Sequence, residues 1–157
     1  MTVTEFGELL IPVLRQVSGR ALDPRLERDL NESFPAGSEL FEGVFAACQD
    51  AIAAGWMCAR EAGGVKFGRV IKPGPDTAGF SVDVVEMTDI AGPHHRHPQG
   101  EIDMVMPLTP TGKFDGRGAG WLVYGPDSAH SPTVTGGKAL VLYLLPAGAI
   151  EFSRSNP

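Results

Sequence analysis

The chain has few of the residues that mark disulfide-rich, zinc-stapled or membrane proteins. Its 157 residues include two cysteines, Cys48 and Cys58, which lack the CxxC spacing of a zinc or redox motif. We expect both to be reduced thiols in the core. No apolar run approaches the roughly 18 residues of a membrane-spanning helix, and the N-terminus lacks a basic stretch followed by an apolar one. We therefore expect a cytoplasmic protein with no membrane partner.

Positive charge is scarce as well. Thirteen lysine and arginine residues stand against 19 aspartate and glutamate residues, which gives a formal net charge of −6 and a sequence pI of about 5.1. Proteins that bind nucleic acid or anionic membranes usually carry the opposite balance, so we expect neither as a partner. A local basic side chain would still allow the protein to bind a small anionic substrate.

Glycine and proline, by contrast, are abundant. Twenty glycines and 13 prolines favour short strands joined by tight turns over a helical bundle. A hydrophobic content of 43% in a chain of this length suits one domain with its own core. No internal repeat, low-complexity tract or linker divides the chain.

The first third of the chain has the apolar spacing of helices. Thr2 and Glu5 have the spacing of a capping box, and Pro12 is expected to kink or split the first helix. Asp23 precedes a proline at the start of a second helix, and Ser38 is placed to cap a third. These signals predict a helical segment before the strands begin.

After residue 55 the pattern changes to strands. Six runs are separated by turns that contain glycine or proline: W-M-C-A-R, V-K-F-G-R-V-I, F-S-V-D-V-V-E-M, E-I-D-M-V-M-P-L, G-W-L-V-Y-G and K-A-L-V-L-Y-L-L. Gly136 and Gly137 have the composition of a two-residue hairpin turn. The pattern predicts an antiparallel sandwich or barrel over residues 56–157, with residues 1–55 packed on it as a helical extension of a single domain.

Histidine is scarce too, but it is concentrated. Three of the four histidines lie in the stretch G-P-H-H-R-H-P-Q-G-E-I-D. His95 and His97 are two residues apart, so on a strand they project from the same face, whereas His94 faces the other way. A tight Pro-Gln-Gly segment then leads to Glu101, and His130 follows another apolar run. Imidazoles and a carboxylate brought together on adjacent strands would suit a first-row metal.

Taken with the later stretch G-W-L-V-Y-G-P-D-S-A-H, this cluster resembles the paired motifs of the cupin superfamily. The matching positions are His95, His97 and Glu101 in the first motif and Gly120, Pro126 and His130 in the second. The second motif is one residue shorter than usual between proline and histidine, Ser128 replaces a glycine, and Val134 replaces an asparagine.

The cupin resemblance implies a mainly β fold, the RmlC-like antiparallel β-barrel or jelly roll. It also implies that His95, His97, Glu101 and His130 surround one divalent metal ion, with Fe, Zn, Mn and Ni as the candidates. The alternative is a metal-free barrel in which the histidines only cap strands. Cupin barrels commonly pair through edge strands, so we expect a homodimer.

The whole chain also resembles a narrower family, the bacterial 4-hydroxylaminobenzoate lyases, in its length, its helical N-terminus and both motif stretches. This resemblance implies conversion of 4-hydroxylaminobenzoate, a small aromatic carboxylate, to 3,4-dihydroxybenzoate (protocatechuate) and ammonium in nitroaromatic degradation. Alternatives are a metal-dependent cupin dioxygenase, a non-catalytic small-molecule-binding cupin, and an isomerase of a sugar or keto acid.

Two side chains near the motifs suit acid–base chemistry. Asp103 is two residues beyond Glu101 and shares its face, so we predict that it acts as a general acid or base, provided that burial raises its pKa. Tyr124 stands just before the second motif and is predicted to donate a hydrogen bond to the substrate. A surface carboxylate and a rim tyrosine are the alternatives.

The substrate carboxylate calls for a basic side chain, and arginine can clamp it with two hydrogen bonds. Arg69 and Arg96 are the foremost candidates, with Lys66 and Arg117 as further ones. Lys66 and Arg69 have opposite parity on their predicted strand, so at most one of them should face inward unless Gly68 forms a bulge. Trp121 is a candidate to stack on the aromatic ring of the substrate, although packing in the barrel would explain it equally well.

Overall fold

A computed structural model of the protein describes residues 1–153, and over this range the chain forms four α-helices followed by ten β-strands. The helices are α1 (Val3–Leu9), α2 (Ile11–Val17), α3 (Pro24–Ser33) and α4 (Glu39–Ala53). The strands are β1 (Arg60–Ala62), β2 (Val65–Ile71), β3 (Phe80–Ala91), β4 (His95–His97), β5 (Glu101–Pro107), β6 (Lys113–Phe114), β7 (Gly120–Tyr124), β8 (Ser128–His130), β9 (Thr133–Pro146) and β10 (Glu151–Phe152). None of the helices in this range has the length and apolar character needed to cross a membrane.

Local signals set the helix ends where the sequence predicts them. Thr2 and Glu5 exchange side-chain to backbone hydrogen bonds of 2.9 and 3.1 Å, which completes the predicted capping box. The first helical segment is split, and Pro12 stands in the first turn of α2, where its missing N–H costs nothing. The side chains of Asp23 and Ser38 cap α3 and α4. The helix predictions are therefore confirmed.

Two strand predictions are wrong. The run W-M-C-A-R becomes a strand only from Arg60, because Cys58 adopts a left-handed backbone conformation with φ of 54°. Gly136 and Gly137 do not form a hairpin turn but lie within β9, as part of a bulge opposite Asp89. Asp89 accepts a 2.9 Å hydrogen bond from the Gly137 N–H, which holds the bulge in place.

The strands form two antiparallel sheets. The larger has the order β1-β2-β3-β9-β5-β7, with β6 also paired to β9, and the smaller has the order β10-β4-β8. The predicted mainly β, antiparallel architecture with an N-terminal helical extension is confirmed, but the hydrogen-bonded ladders do not close into one barrel. The segments that connect β3 to β4, β4 to β5, β7 to β8 and β8 to β9 pass from one sheet to the other, and each contains a proline. Proline has no N–H to donate, so it cannot continue the hydrogen-bonded ladder from one sheet into the next. These prolines are Pro93, Pro98, Pro126 and Pro132.

The two faces of the larger sheet have different partners. On β5, Ile102, Met104 and Met106 pack against the helices in one apolar cluster. The intervening Val105 belongs to a second apolar cluster on the opposite face. Because the helices and the sheet share the first cluster, the helical segment covers one face and leaves the other to the smaller sheet. The division of the chain at residues 55 and 56 stays a prediction.

Helix α3 covers the edge strand β7 with side-chain hydrogen bonds. The amide of Asn31 donates to the Trp121 carbonyl and accepts from the Trp121 N–H, both at 2.9 Å. Glu27 accepts a further 2.9 Å hydrogen bond from the Val123 N–H. These contacts occupy backbone groups that an open edge strand would otherwise expose.

Asn31→Ala is expected to lower the free energy of unfolding by about 1–3 kcal/mol, because it leaves the buried N–H and C=O of Trp121 without partners. Urea denaturation followed by circular dichroism measures this change. The exposed neighbour Glu32 provides the control, since Glu32→Ala should change stability by less than about 0.5 kcal/mol. Equal midpoints for the Asn31 variant and the wild type would contradict the bracing role of Asn31.

Candidate metal centre

The four predicted ligands lie together between the two sheets. Register pairing sets His95 of β4 opposite His130 of β8, and the Nε2 atoms of these rings are 3.1 Å apart. The Nε2 atoms of His95 and His97 are 2.8 Å apart. Glu101 of β5 brings Oε2 to 3.1 Å from His97 Nε2 and 3.7 Å from His130 Nε2. All four candidate ligand atoms lie within 4.8 Å of one another.

The turn between β4 and β5 returns Glu101 to the two histidines. Gly100 makes this turn possible with φ of 91°, a conformation that disfavours L side chains. A Cβ on Gly100 would also lie only 2.6 Å from the Tyr124 carbonyl oxygen. The Gly100 N–H closes the turn with a 3.2 Å hydrogen bond to the His97 carbonyl. Glycine is therefore required both for the backbone angle and for the close approach.

The centre is buried, and the carboxylate oxygens of Glu101 lack hydrogen-bond partners within the described residues. His97 and Glu101 are fully buried, and within residues 1–153 neither carboxylate oxygen of Glu101 has a hydrogen-bond donor of acceptable geometry. Burial alone would raise the pKa of Glu101, but the adjacent His130 and His97 outweigh it and lower the pKa to about 2. An ionised, buried carboxylate beside converging imidazole nitrogens attracts a cation.

The spacing of these atoms suits one metal ion. Metal–nitrogen bonds of about 2.1 Å separate two ligands by roughly 3.0 Å at right angles and roughly 3.4 Å in a tetrahedron. The Nε2–Nε2 distances of 2.8 and 3.1 Å fall close to this range. The residues present therefore fit a divalent first-row ion held by three imidazoles and one carboxylate.

The outer nitrogens of two imidazoles have fixed partners. His97 Nδ1 lies 3.0 Å from Ser128 Oγ, whose own proton goes to the Gly125 carbonyl. His130 Nδ1 lies 2.6 Å from Asp115 Oδ2. These partners suit a proton on Nδ1 of each ring, which would leave Nε2, on the side of the centre, free to bind a metal ion. Sequence reasoning noticed Ser128 only as a departure from the motif and missed Asp115, whose position carries no local signal for this contact.

Asp103 lies one step further along the same face of β5. Its cross-strand neighbours are Tyr143 of β9 and Leu122 of β7, and its side chain is fully buried. Neither carboxyl oxygen has a hydrogen-bond partner of acceptable geometry among residues 1–153. Burial, and then the neighbouring charge of Glu101, raise the pKa of Asp103 well above its ordinary range. This shift favours the protonated form of the Asp103 carboxyl group beside Glu101.

Tyr124 forms one wall of the centre. It pairs with Glu101 across β5 and β7, and its ring centroid lies 4.6 Å from that of His130 and 5.6 Å from that of His97. Its hydroxyl donates a 2.5 Å hydrogen bond to Asp115. The ring of Tyr124 thus faces the centre, while its hydroxyl proton is held by a carboxylate.

Arg69 lies on the inner face of the larger sheet. Its row of cross-strand partners runs through Asp83 and Tyr143 to Asp103, so all four residues share one face. Arg69 Nε donates to Asp83 at 2.8 Å, and Nη2 donates to a loop carbonyl at 3.2 Å. Lys66 lies on the opposite face, as strand parity predicts. Arg69 is thus at one end of this row of four residues, and Asp103, at the other end, is next to the candidate ligand Glu101.

Three other candidates are not brought to the centre. Arg96 lies between the two ligand histidines of β4 and faces outward, where it pairs with Asp127 and Glu151. Trp121 faces the helices and donates a 2.8 Å hydrogen bond from Nε1 to the Phe34 carbonyl. Successive side chains of a strand point to opposite faces, and this alternation turns both Arg96 and Trp121 away from the centre. The third candidate, Arg117, pairs with Glu27 of α3.

His94 lies at the surface, where its Nδ1 contacts Ser153 Oγ at 2.6 Å. Its ring is exposed and does not take part in the centre, as the parity of β4 predicts. Of the four candidate ligands, His130 has the most exposed side chain, at 14%, so the approach from solvent is on its side.

Comparison with known proteins gives a consistent family. The family model for 4-hydroxylaminobenzoate lyase (PnbB) matches residues 8–152. The chain is 33% identical over 156 aligned residues to the 4-hydroxylaminobenzoate lyase of Nocardioides sp. strain LMS-CY, with 94% of this chain and 92% of that protein covered. It is 31% identical over an alignment of 161 positions to the 4-hydroxylaminobenzoate lyase of Pseudomonas putida, with 92% of each protein covered.

A solved structure of an RmlC-like cupin protein from Ralstonia eutropha JMP134 is also similar. It matches with a TM-score of 0.46 and 12% identity, over 62% of this chain and 64% of that chain.

Proposed function

The chain belongs to the 4-hydroxylaminobenzoate lyase family and is a lyase, and from that premise we propose that it converts 4-hydroxylaminobenzoate to 3,4-dihydroxybenzoate and ammonium. The observation that carries the proposal is the family match, which spans residues 8–152 and thus includes every candidate ligand. The buried cluster of His95, His97, Glu101 and His130 supports a divalent metal as the cofactor. We further propose a role in the degradation of nitroaromatic compounds.

The net reaction needs one water and one proton for each substrate, and no oxidant. The N–O bond breaks and its oxygen leaves as water. A second water adds to the ring carbon adjacent to the nitrogen-bearing carbon. A third water hydrolyses the resulting imine, so that the C–N bond breaks and ammonium leaves, and the ring then recovers its aromaticity as the catechol. The site must therefore deliver a proton to a poor leaving group and exclude other nucleophiles.

A divalent ion held by the four ligands would act as a Lewis acid toward an oxygen of the substrate or of water. Asp103 is proposed to supply the proton to the departing hydroxyl group, because its carboxyl group is buried, has a raised pKa and has no hydrogen-bond partner of acceptable geometry among the described residues. Asp103 lies two residues beyond Glu101 on β5, and this position supports a role beside the proposed metal.

Tyr124 and Arg69 are proposed to hold the substrate. The Tyr124 ring lies against the imidazoles and offers a flat apolar surface to an aromatic ring. Its hydroxyl already donates to Asp115, so the ring face is the part of Tyr124 that remains for the substrate. Arg69 is the candidate for the substrate carboxylate because it alone of the predicted arginines lies on the inner face. Arg96 and Trp121 have no part in this proposal, since they face away from the centre.

Lyase activity is expected only from metal-loaded protein. Purified protein loaded separately with Fe²⁺, Zn²⁺, Mn²⁺ or Ni²⁺ is mixed under argon with 4-hydroxylaminobenzoate, and ammonium and 3,4-dihydroxybenzoate are quantified. Equal amounts of both products without dioxygen are expected from at least one metal form, and chelator-treated protein should form neither. Unchanged substrate with every metal would refute the proposed function. Activity that requires dioxygen would favour the dioxygenase alternative, and metal binding without turnover would favour a non-catalytic cupin.

Two further expectations stay predictions. A homodimer would appear in sedimentation equilibrium as a mass twice the 16.6 kDa of the chain. One edge strand of the larger sheet, β7, is covered by α3, whereas the other edge strand, β1, is exposed and only three residues long. A cytoplasmic location is the other expectation.

A further inference from the structure

Asp115, which the motif comparison did not identify, contacts the metal centre from outside. It follows β6 at a left-handed φ of 48°. Its backbone N–H donates to the Thr133 carbonyl at 2.8 Å, and its Oδ1 accepts from the Thr133 N–H at 2.9 Å. Both the backbone and the side chain of Asp115 are therefore hydrogen-bonded to the first residue of β9.

The second oxygen of Asp115 is directed at the centre. Asp115 Oδ2 accepts hydrogen bonds from His130 Nδ1 at 2.6 Å and from the Tyr124 hydroxyl at 2.5 Å. One carboxylate thus holds both a candidate ligand and the aromatic wall of the site. In the part of the chain that the structure describes, His130 is the one imidazole of the centre with a carboxylate on its Nδ1, whereas His97 has the neutral Ser128 hydroxyl.

Of the four candidate ligands, His130 is the one whose orientation depends most on an outside hydrogen bond. It ends a strand of three residues, and its side chain is the most exposed of the four. A hydrogen bond from Nδ1 to a charged carboxylate fixes the orientation of the ring, leaves the lone pair on Nε2 and makes that lone pair more basic. Without the hydrogen bond to Asp115, the His130 ring could rotate about its side-chain torsions toward solvent.

We propose that Asp115 is a positioning residue that orients His130 for a divalent cation and, through the Tyr124 hydroxyl, aligns the wall of the substrate site. The inference rests on the metal centre of the proposed function. It adds a fifth residue to that centre, one that acts through His130 and does not touch the ion.

The test measures the affinity of metal-stripped full-length protein for Zn²⁺ by competition with a chromophoric chelator. Asp115→Asn is expected to bind Zn²⁺ about 10- to 100-fold more weakly, the usual effect of removing an outer carboxylate. Asp89→Asn is the matched control, because Asp89 also has a left-handed φ, of 42°, and accepts a backbone hydrogen bond remote from the centre. It should change the affinity less than twofold. Affinity of Asp115→Asn within twofold of the wild type would overturn the proposal.

A second measurement uses the wild-type protein and does not depend on the folding of a variant. In ¹⁵N-labelled, Zn²⁺-loaded protein, long-range ¹H–¹⁵N spectra should show His130 with its proton on Nδ1 and Zn²⁺ on Nε2. A proton on Nε2 of His130 would overturn the proposal. Both measurements omit the substrate. Wild-type protein that binds Zn²⁺ but leaves 4-hydroxylaminobenzoate unchanged with every metal would refute the proposed function alone.

Discussion

His97→Ala is expected to lose its bound divalent metal and, with it, lyase activity. The His97 side chain is fully buried, and its Nε2 lies 2.8 Å from His95 Nε2 and 3.1 Å from Glu101 Oε2, so it occupies the middle of the cluster. Removal of a direct ligand should weaken binding by more than the roughly 100-fold that loss of an outer-sphere partner reaches. Activity at a fixed, limiting metal concentration should fall by a similar factor.

Elemental analysis after gel filtration and the ammonium assay measure these two losses. The neighbouring His94→Ala is the control, because His94 is exposed and contacts Ser153 at the surface. It should retain metal and activity. Circular dichroism establishes that the His97 variant is folded, since removal of a buried ring also leaves a cavity. Full metal occupancy and full activity in folded His97→Ala would contradict its assignment as a ligand.

Asp103→Asn is expected to lower kcat by about 10²- to 10⁴-fold while metal occupancy stays unchanged. The substitution keeps the size of the side chain but removes the proton that Asp103 is proposed to deliver. Asp103 is not one of the four clustered ligands, so metal should remain bound. Single-turnover kinetics and elemental analysis separate the two effects. Asp50→Asn, an exposed change on α4, is the control. Unchanged kcat would mean that solvent or another group supplies the proton.

The same variant has a predicted effect on stability against pH. Because the folded-state pKa of Asp103 is raised, the folded protein holds a proton that the unfolded chain releases above about pH 4. Wild-type stability should therefore decline as the pH rises from about 4 toward the folded-state pKa of this group, and Asp103→Asn should lack that part of the decline. Urea denaturation of metal-free protein between pH 4 and pH 8 measures the difference between the two proteins.

The clustering of the candidate ligands could be predicted because most of its geometry depends on residues close together in the chain. His95 and His97 share a face through the two-residue period of a strand, and the Pro-Gln-Gly turn returns Glu101 within four residues of His97. His130 is distant in the chain, and its place was implied by the family motif. The structure pairs it directly with His95 across β4 and β8.

The substrate residues were harder to predict, because a side chain of suitable chemistry is useful only if it faces inward. Trp121 and Tyr124 are three residues apart on β7, so they face opposite sides, and only Tyr124 reaches the centre. Arg96 is excluded by the same alternation that aligns its two histidine neighbours. Arg69 remains because its strand parity matches that of Asp83 and Asp103.

Composition, periodicity and turn chemistry were thus enough to predict the antiparallel fold, the helix caps and the face shared by His95 and His97, since all of these depend on residues close together in the chain. The assembled fold was needed to show the separation into two sheets, the bulge at Gly136 and the contact of Asp115 with His130, 15 residues away. Such contacts arise from the packing of distant segments, which the spacing of residues along one strand does not encode.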